Sequence, residues 1–130
     1  MVKRLKQTYY IEAPIAKVWR ALVDPDIIEK WGAGEVKMDA NPGTKFSLWN
    51  GDIHGKNLEA IENQKLVQEW FAKDWPEPSK VTILLNYDGD RTRIDLFHEN
   101  IPDDEYKSIK DGWGQYYFGA IQKLLEGDEN

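Results

Sequence analysis

The feature that most constrains this chain is the alternation of apolar and polar residues over 80–99, interrupted once by the turn sequence DGD. Val81, Ile83, Leu85 and Tyr87 share one face of the first strand, and the same alternation continues through Leu96 in the second. Consecutive strands with one apolar face predict an antiparallel sheet. That face has to be buried by another element of the domain.

The C-terminal segment is the one long enough to cover such a sheet. Residues 104–126 have a helical period, with acidic residues in the first turn, where the helix dipole favours them. Gly112, Gly114 and Gly119 interrupt this segment, although glycine costs about 1 kcal/mol relative to alanine inside a helix. We interpret the small Ala120 as leaving a cavity between helix and sheet. The predicted inward stripe consists of Tyr106, Ile109, Trp113, Tyr117, Ala120 and Leu124.

The N-terminal third predicts one strand and two short helices. Residues 4–14 alternate as a strand that Pro14 ends. Apolar residues then recur at helical spacing over 15–22 and again over 24–32. From residue 34 onwards the period changes to two, which predicts further strands.

Together these segments predict an α+β fold. We expect a curved antiparallel sheet of six or seven strands wrapped around the long C-terminal helix, with two short helices after the first strand. The length of 130 residues suits a single domain. We expect this domain to span 1–130, with order over about 3–126 and a tail at 127–130.

Composition and motifs exclude several function classes. The net charge of −6 argues against nucleic acid as a partner, because phosphate binding relies on Lys and Arg. No apolar run approaches the roughly 20 residues of a membrane span, and no signal peptide opens the sequence, so we expect a cytoplasmic protein without membrane insertion. With His54 and His98 as the only histidines and no cysteine, we expect no metal site and no cofactor. Catalytic motifs are also missing, so we expect no catalytic residues and no enzyme activity.

Strand alternation turns four polar side chains into the apolar interior: Asn57, Gln68, Thr92 and His98. One interpretation is that a neighbour or a water satisfies each of them. The other is that they orient a ligand, as a few polar groups in an apolar pocket usually do. In that case the Tyr117 hydroxyl would point towards them. The candidate ligand site would then be completed by three helix residues, Trp113, Tyr117 and Ala120.

Phe118 falls off the predicted inward stripe. It either folds against the sheet edge or the small helices, or forms an exposed patch with Trp75 that binds a partner protein. The sequence leaves both interpretations open.

A resemblance to the START-like superfamily, also called SRPBCC or Bet v 1-like, rests on four segments in order: IEAPIAKVWRALVDPDIIEKW, NPGTKF, HGKNLEAIENQKLVQEW and GWGQYYFGAIQKLL. Within it, VQEWFAKDWPEPSKVTILLNY and DGWGQYYFGAI resemble the C-terminal domain of the activator of the heat-shock protein 90 ATPase. The resemblance covers nearly the whole chain and implies the helix-grip fold. It also implies a deep cavity between sheet and helix, which many members use for apolar ligands.

For function, the resemblance favours a non-catalytic binding domain with a small apolar or lipid-like ligand. The alternative is an interaction domain for a heat-shock protein 90-type chaperone. The activator makes its main chaperone contact through a separate N-terminal domain, and the sequence shows no counterpart of it, so we expect a stand-alone domain. A cyclase-type enzyme on the same fold is less favoured, because only His98 could titrate near neutral pH inside the predicted cavity.

Overall fold

The computed structural model describes residues 2–72 and 75–127. The described chain forms six strands and a long, segmented C-terminal helix, with two short helices after the first strand. The strands are β1 (Val2–Ile11), β2 (Lys45–Leu48), β3 (Ile53–Ile61), β4 (Lys65–Ala72), β5 (Ser79–Asp88) and β6 (Arg91–Pro102). The helices are α1 (Ile15–Val23), α2 (Pro25–Lys30), α3 (Tyr106–Gly112) and α4 (Phe118–Gly127). A 3-10 turn at Asp103–Glu105 precedes α3, and one π turn at Trp113–Tyr117 joins α3 to α4.

The six strands form one antiparallel sheet in the order β1-β6-β5-β4-β3-β2. The predicted fold class is therefore confirmed, including the 25-residue C-terminal helix. A seventh strand is reduced to a single bridge between Lys37 and Ser47 at the edge of β2. Apolar residues at alternate strand positions are buried, as Ile83 and Leu96 are with no exposed surface. Tyr87, predicted on the same face, is 77% exposed, because it lies at the end of β5, next to the turn.

The short helices and one turn follow local sequence signals. Asp24 caps α2 by accepting a hydrogen bond from the backbone N–H of Asp26 at 3.0 Å. The sequence NG at 50–51 predicts a two-residue hairpin. The structure instead has a 3-10 turn in which Trp49, Asn50 and Gly51 all have positive φ, at 51°, 59° and 96°. This wider turn leaves Trp49 half-buried between β2 and β3.

The C-terminal helix changes its buried face at the π turn. The N–H of Phe118 donates to the carbonyl of Trp113, five residues back, so one more residue is fitted into the helix than the regular pattern allows. As a result the buried residues are Trp113, Tyr117, Phe118 and Ile121. Trp113 and Tyr117 of the predicted stripe are buried, and its other four members are partly buried. The stripe is wrong beyond Tyr117 because it leaves out Phe118 and Ile121, which are the buried residues of α4.

The lack of a side chain at Gly119 makes the π turn sterically feasible. A Cβ atom added to Gly119 would lie 2.1 Å from the carbonyl oxygen of Gly114, far inside van der Waals contact. Gly112 differs, since the nearest atom to an added Cβ is Tyr116 Cδ2 at 3.9 Å. The glycine that looks costly at 119 is therefore required by the close approach of two backbone segments.

Candidate functional site

Three of the inward polar residues take part in two hydrogen-bond chains that run through the core. In the first chain, Trp70 Nε1 donates to Gln68 Oε1 at 2.8 Å, and Gln68 Nε2 donates to Asn57 Oδ1 at 2.8 Å. Asn57 Nδ2 then donates to the backbone carbonyl of Asp39 at 2.9 Å. The buried amides are thus paired with each other and with an adjacent loop.

The second chain passes through His98. Trp113 Nε1 donates to His98 Nδ1 at 3.0 Å. Because an indole nitrogen only donates, His98 Nδ1 is the acceptor, and the neutral ring carries its proton on Nε2. His98 Nε2 therefore donates to Ser79 Oγ at 2.7 Å, and Ser79 Oγ donates to the carbonyl of Trp70 at 3.1 Å.

This arrangement holds His98 in its neutral form. Burial lowers the pKa of His98 to about 3. Protonation would also put a hydrogen on His98 Nδ1. That N–H would face the N–H of the Trp113 indole, so two donors would oppose each other. His98 is thus neutral at physiological pH, and both of its ring nitrogens are already paired.

The remaining inward polar residue, Thr92, donates from Oγ1 to the backbone carbonyl of Ala13 at 2.8 Å. Each of the four predicted polar residues therefore has a partner within the protein. Ser79 is a further inward polar residue, although it was absent from the sequence-based prediction. Extending the alternation of Val81 and Ile83 back by two residues would have placed Ser79 on the inward face.

Tryptophan and tyrosine rings pack directly against these chains. Trp70 and Trp113 stack with centroids 4.8 Å apart, and Tyr117 tilts against Trp113 at 4.7 Å. Between described residues, the hydrogen bonds to the inward polar set come from Trp113 and Trp70 and not from Tyr117, contrary to our expectation for its hydroxyl. Burial raises the pKa of Tyr117.

A cavity of about 450 Å³ opens beside this aromatic cluster, where the turn after β2 meets α3. Trp113 and Tyr117 line it, as predicted, while Asn57, Gln68, Thr92 and His98 lie outside its lining. The polar residues thus support the cavity walls from behind and do not line the cavity. The lining residues are Trp49, Asp52, Ile53, Trp70, Ser108, Ile109, Gly112, Trp113, Tyr116 and Tyr117.

Ala120 lies away from this cavity, which corrects its predicted place. It lines a separate groove between the C-terminal helix and the end of α2, together with Trp31 and Gly119. The reason is the extra residue in the π turn, which rotates α4 relative to the pattern of a regular helix.

Phe118 is only 1% exposed and stacks on Tyr9 of β1 with centroids 4.8 Å apart. The structure therefore supports its packing against the sheet edge and corrects the interpretation as an exposed patch with Trp75. Trp75 is half-buried in the loop before β5, where its N–H donates to the carbonyl of Ala72 at 3.1 Å.

Within 2–72 and 75–127, no group of three or more His, Cys, Asp or Glu residues is arranged to hold a metal ion. Over the same residues, no helix has the length and apolar character needed to cross a membrane.

The sequence profile of a known family, "Activator of Hsp90 ATPase homolog 1-like protein", matches residues 12–126. The chain belongs to this family. Among its relatives, the mouse activator of 90 kDa heat shock protein ATPase homolog 2 is 24% identical over 124 residues, or 94% of this chain and 38% of that protein. The human homolog 1 is 26% identical over 93% of this chain and 36% of its own length. The chain thus spans less than two fifths of these activator relatives.

A solved structure of similar length shares the fold of this family member. The crystal structure of an HSP90 activator from Plasmodium falciparum superposes with a TM-score of 0.84 at 27% identity. The alignment covers 95% of this chain and 96% of the other. The helix-grip architecture of a START-like domain is therefore common to both.

Proposed function

We propose that this family member is a non-catalytic domain that binds a small apolar molecule in the cavity beside Trp113. The observation that carries the proposal is an aromatic-lined space of about 450 Å³ next to a core whose polar groups are already paired. Ligand pockets in proteins typically have volumes of roughly 300–1,000 Å³ and predominantly apolar walls.

The hydrogen-bond chains supply preorganisation for such a site. Trp113 is oriented by His98, and Trp70 is oriented by Gln68, so two of the cavity walls are fixed in the free protein. A ligand that enters does not have to order these side chains, which lowers the entropic cost of binding. In this proposal, His98 and Gln68 position the walls without touching the ligand.

We propose a non-catalytic domain because of the protonation state and hydrogen bonds of His98. An enzyme of the cyclase type would need a group that exchanges protons near neutral pH inside the cavity. His98 has both nitrogens paired, is held neutral and is not a lining residue. These features favour binding over acid–base chemistry.

The neutral fluorescent probe N-phenyl-1-naphthylamine tests the site. Gly112→Leu should fill the cavity, because Gly112 lines it and has helical dihedral angles of −64° and −35° that leucine adopts readily. We expect probe affinity to fall at least about tenfold, since one leucine side chain occupies space a ligand needs. The midpoint temperature of thermal unfolding should be no lower for the variant than for the wild type.

The matched control is Ala120→Phe, which adds bulk to the same helix but in the separate groove. This variant should bind the probe as the wild type does. The proposal is contradicted if the wild type fails to bind the probe, or if Gly112→Leu binds it as well as the wild type.

A second proposed function is contact with a heat-shock protein 90-type chaperone. It is favoured by membership of a family named for activation of that ATPase and by the P. falciparum activator, which aligns over almost its whole chain. With Phe118 buried, Trp75 remains as the predicted contact.

In an NMR titration of the labelled protein with purified chaperone, Trp75→Ser should weaken binding. Tyr87→Ser, at a side chain that is 77% exposed, should leave it unchanged. Equal effects of both substitutions, or no binding by the wild type, would contradict this proposal.

A further inference from the structure

The cavity beside Trp113 has an uneven distribution of charge. Asp52 is the one charged residue among its described lining residues, and no lysine, arginine or histidine shares the lining. Asp52 is exposed and follows the 3-10 turn at Trp49–Gly51, so its carboxylate stands on the solvent side of the cavity. The rest of the lining is dominated by five aromatic rings: Trp49, Trp70, Trp113, Tyr116 and Tyr117.

These lining residues favour a ligand that carries a positive charge. The face of an aromatic ring is electrostatically negative, and several rings around one space attract a weakly hydrated cation. A carboxylate at the same site adds to this attraction and repels anions. The net charge of −6 on the whole chain contributes in the same direction at long range.

We infer that the cavity prefers a molecule with an apolar body and a single positively charged head, of the quaternary ammonium type, over a neutral or anionic molecule of the same shape. The inference rests on the proposed apolar-ligand function and specifies its ligand class. The apolar body contacts Trp113 and Ile109, and the cationic head lies among the rings near Asp52. Fatty acids and other anionic amphiphiles are disfavoured, because the described lining offers no positive side chain for their head group.

Three probes of one shape test the inference by isothermal titration calorimetry. These are benzyltrimethylammonium, its neutral isostere 2,2-dimethylpropylbenzene and the anion phenylmethanesulfonate. We expect the cation to bind the wild-type protein about tenfold more tightly than the neutral isostere, and the anion to bind most weakly. Gly112→Leu should abolish binding of the cation if it occupies this cavity.

Removing the charge of Asp52 tests whether this residue causes the preference for the cation. Asp52→Asn should weaken binding of the cation about three- to tenfold and leave the neutral isostere unchanged. Asp90→Asn is the matched control, because Asp90 is an exposed carboxylate in the turn between β5 and β6, outside the cavity lining. It produces the same change in net charge and should leave both affinities unchanged.

The possible outcomes separate this inference from the proposed function. Equal affinity for the cation and the neutral isostere overturns the cation preference and leaves apolar binding intact. Preference for the anion has the same consequence. If the cation is preferred but Asp52→Asn binds it like the wild type, the assignment to Asp52 is overturned. If none of the three probes binds, the proposed apolar-ligand site fails, and the inference fails with it.

Discussion

The two halves of the C-terminal helix meet the rest of the domain in different ways. After the π turn, Phe118 and Ile121 are buried, and α4 contacts both α1 and β1. Before the π turn, α3 contains no fully buried residue, and its Ile109 is only half-buried beside the cavity. One end of the interior is therefore closed by tight packing, and the other is open.

This difference teaches how a single helix can both stabilise a core and leave a binding space. A regular helix would continue the face of Trp113 and Tyr117 along its whole length. The extra residue in the π turn rotates the second half, so that Phe118 and Ile121 pack inward. We call α4 the closed half of the helix and α3 the open half. Stability then depends mainly on the closed half, whereas the open half borders the cavity.

The largest expected effect lies in the closed half. Phe118→Ala should lower the free energy of unfolding by about 3–5 kcal/mol, as for other large buried aromatics. The side chain is 1% exposed and stacks on both Tyr9 and Trp113, so its removal leaves a cavity. Urea denaturation of the purified variant measures the change.

Tyr116→Ala is the control for this experiment in the π turn itself. Tyr116 is 60% exposed, so its replacement should cost about 0.5 kcal/mol or less. If Phe118→Ala costs no more than Tyr116→Ala, the change of buried face at the π turn is contradicted.

The next effect concerns the hydrogen-bond chain through His98, which lies behind the cavity wall formed by Trp113. Burial lowers the pKa of His98 to about 3, whereas an unfolded histidine has a pKa near 6.5. Between these values the unfolded state binds a proton that the native state does not, so stability present above pH 6.5 is lost as the pH falls. The expected slope is about 1.4 kcal/mol per pH unit. From pH 6.5 to 4.5, wild-type protein should lose about 2 kcal/mol more than His98→Gln, because the unfolded histidine is only half protonated at the upper end of this range.

Glutamine suits this comparison because it does not titrate and can still accept from Trp113 and donate to Ser79. Urea unfolding at several pH values measures both proteins. Parallel stability profiles over this range would mean that His98 is not held neutral by the fold.

The sequence was sufficient to predict the sheet, the helices and most of the strand residues that face inward, with Tyr87 at the end of β5 as an exception. Alternation is a local signal, and it correctly turned Asn57, Gln68 and His98 towards the core. The partners of these residues could not be predicted in the same way. They depend on the register between strands, which brings Ser79 of β5 opposite Trp70 of β4 and within reach of His98 of β6.

The helix phase beyond Tyr117 was mispredicted for a specific physical reason. A helical wheel assumes 3.6 residues per turn throughout. The hydrogen bond from Phe118 to Trp113 breaks this assumption, and it is not encoded in hydrophobic periodicity. A usable signal was Gly119, five residues after Gly114, because a side chain at 119 would meet the carbonyl oxygen of Gly114.

That glycine pair gives a smaller but sharper test. Gly119→Ala places a Cβ atom 2.1 Å from the carbonyl oxygen of Gly114, so the π turn has to distort. We expect a loss of about 1–3 kcal/mol, as for overpacking at a closely packed site. The effect should be visible as a lower midpoint in urea unfolding. A neutral or stabilising outcome would mean that a regular helix can replace the π turn at no cost.

The smallest expected effect lies in the open half and has the opposite sign. Gly112→Ala should raise the free energy of unfolding by about 0.5–1 kcal/mol, since alanine is favoured over glycine inside a helix. Gly112 has helical dihedral angles, and its added Cβ would meet only Tyr116 Cδ2 at an ordinary contact distance of 3.9 Å. The same substitution seven residues apart in one helix should therefore stabilise at Gly112 and destabilise at Gly119. Two changes of equal sign, measured side by side by urea denaturation, would contradict the division into an open and a closed half.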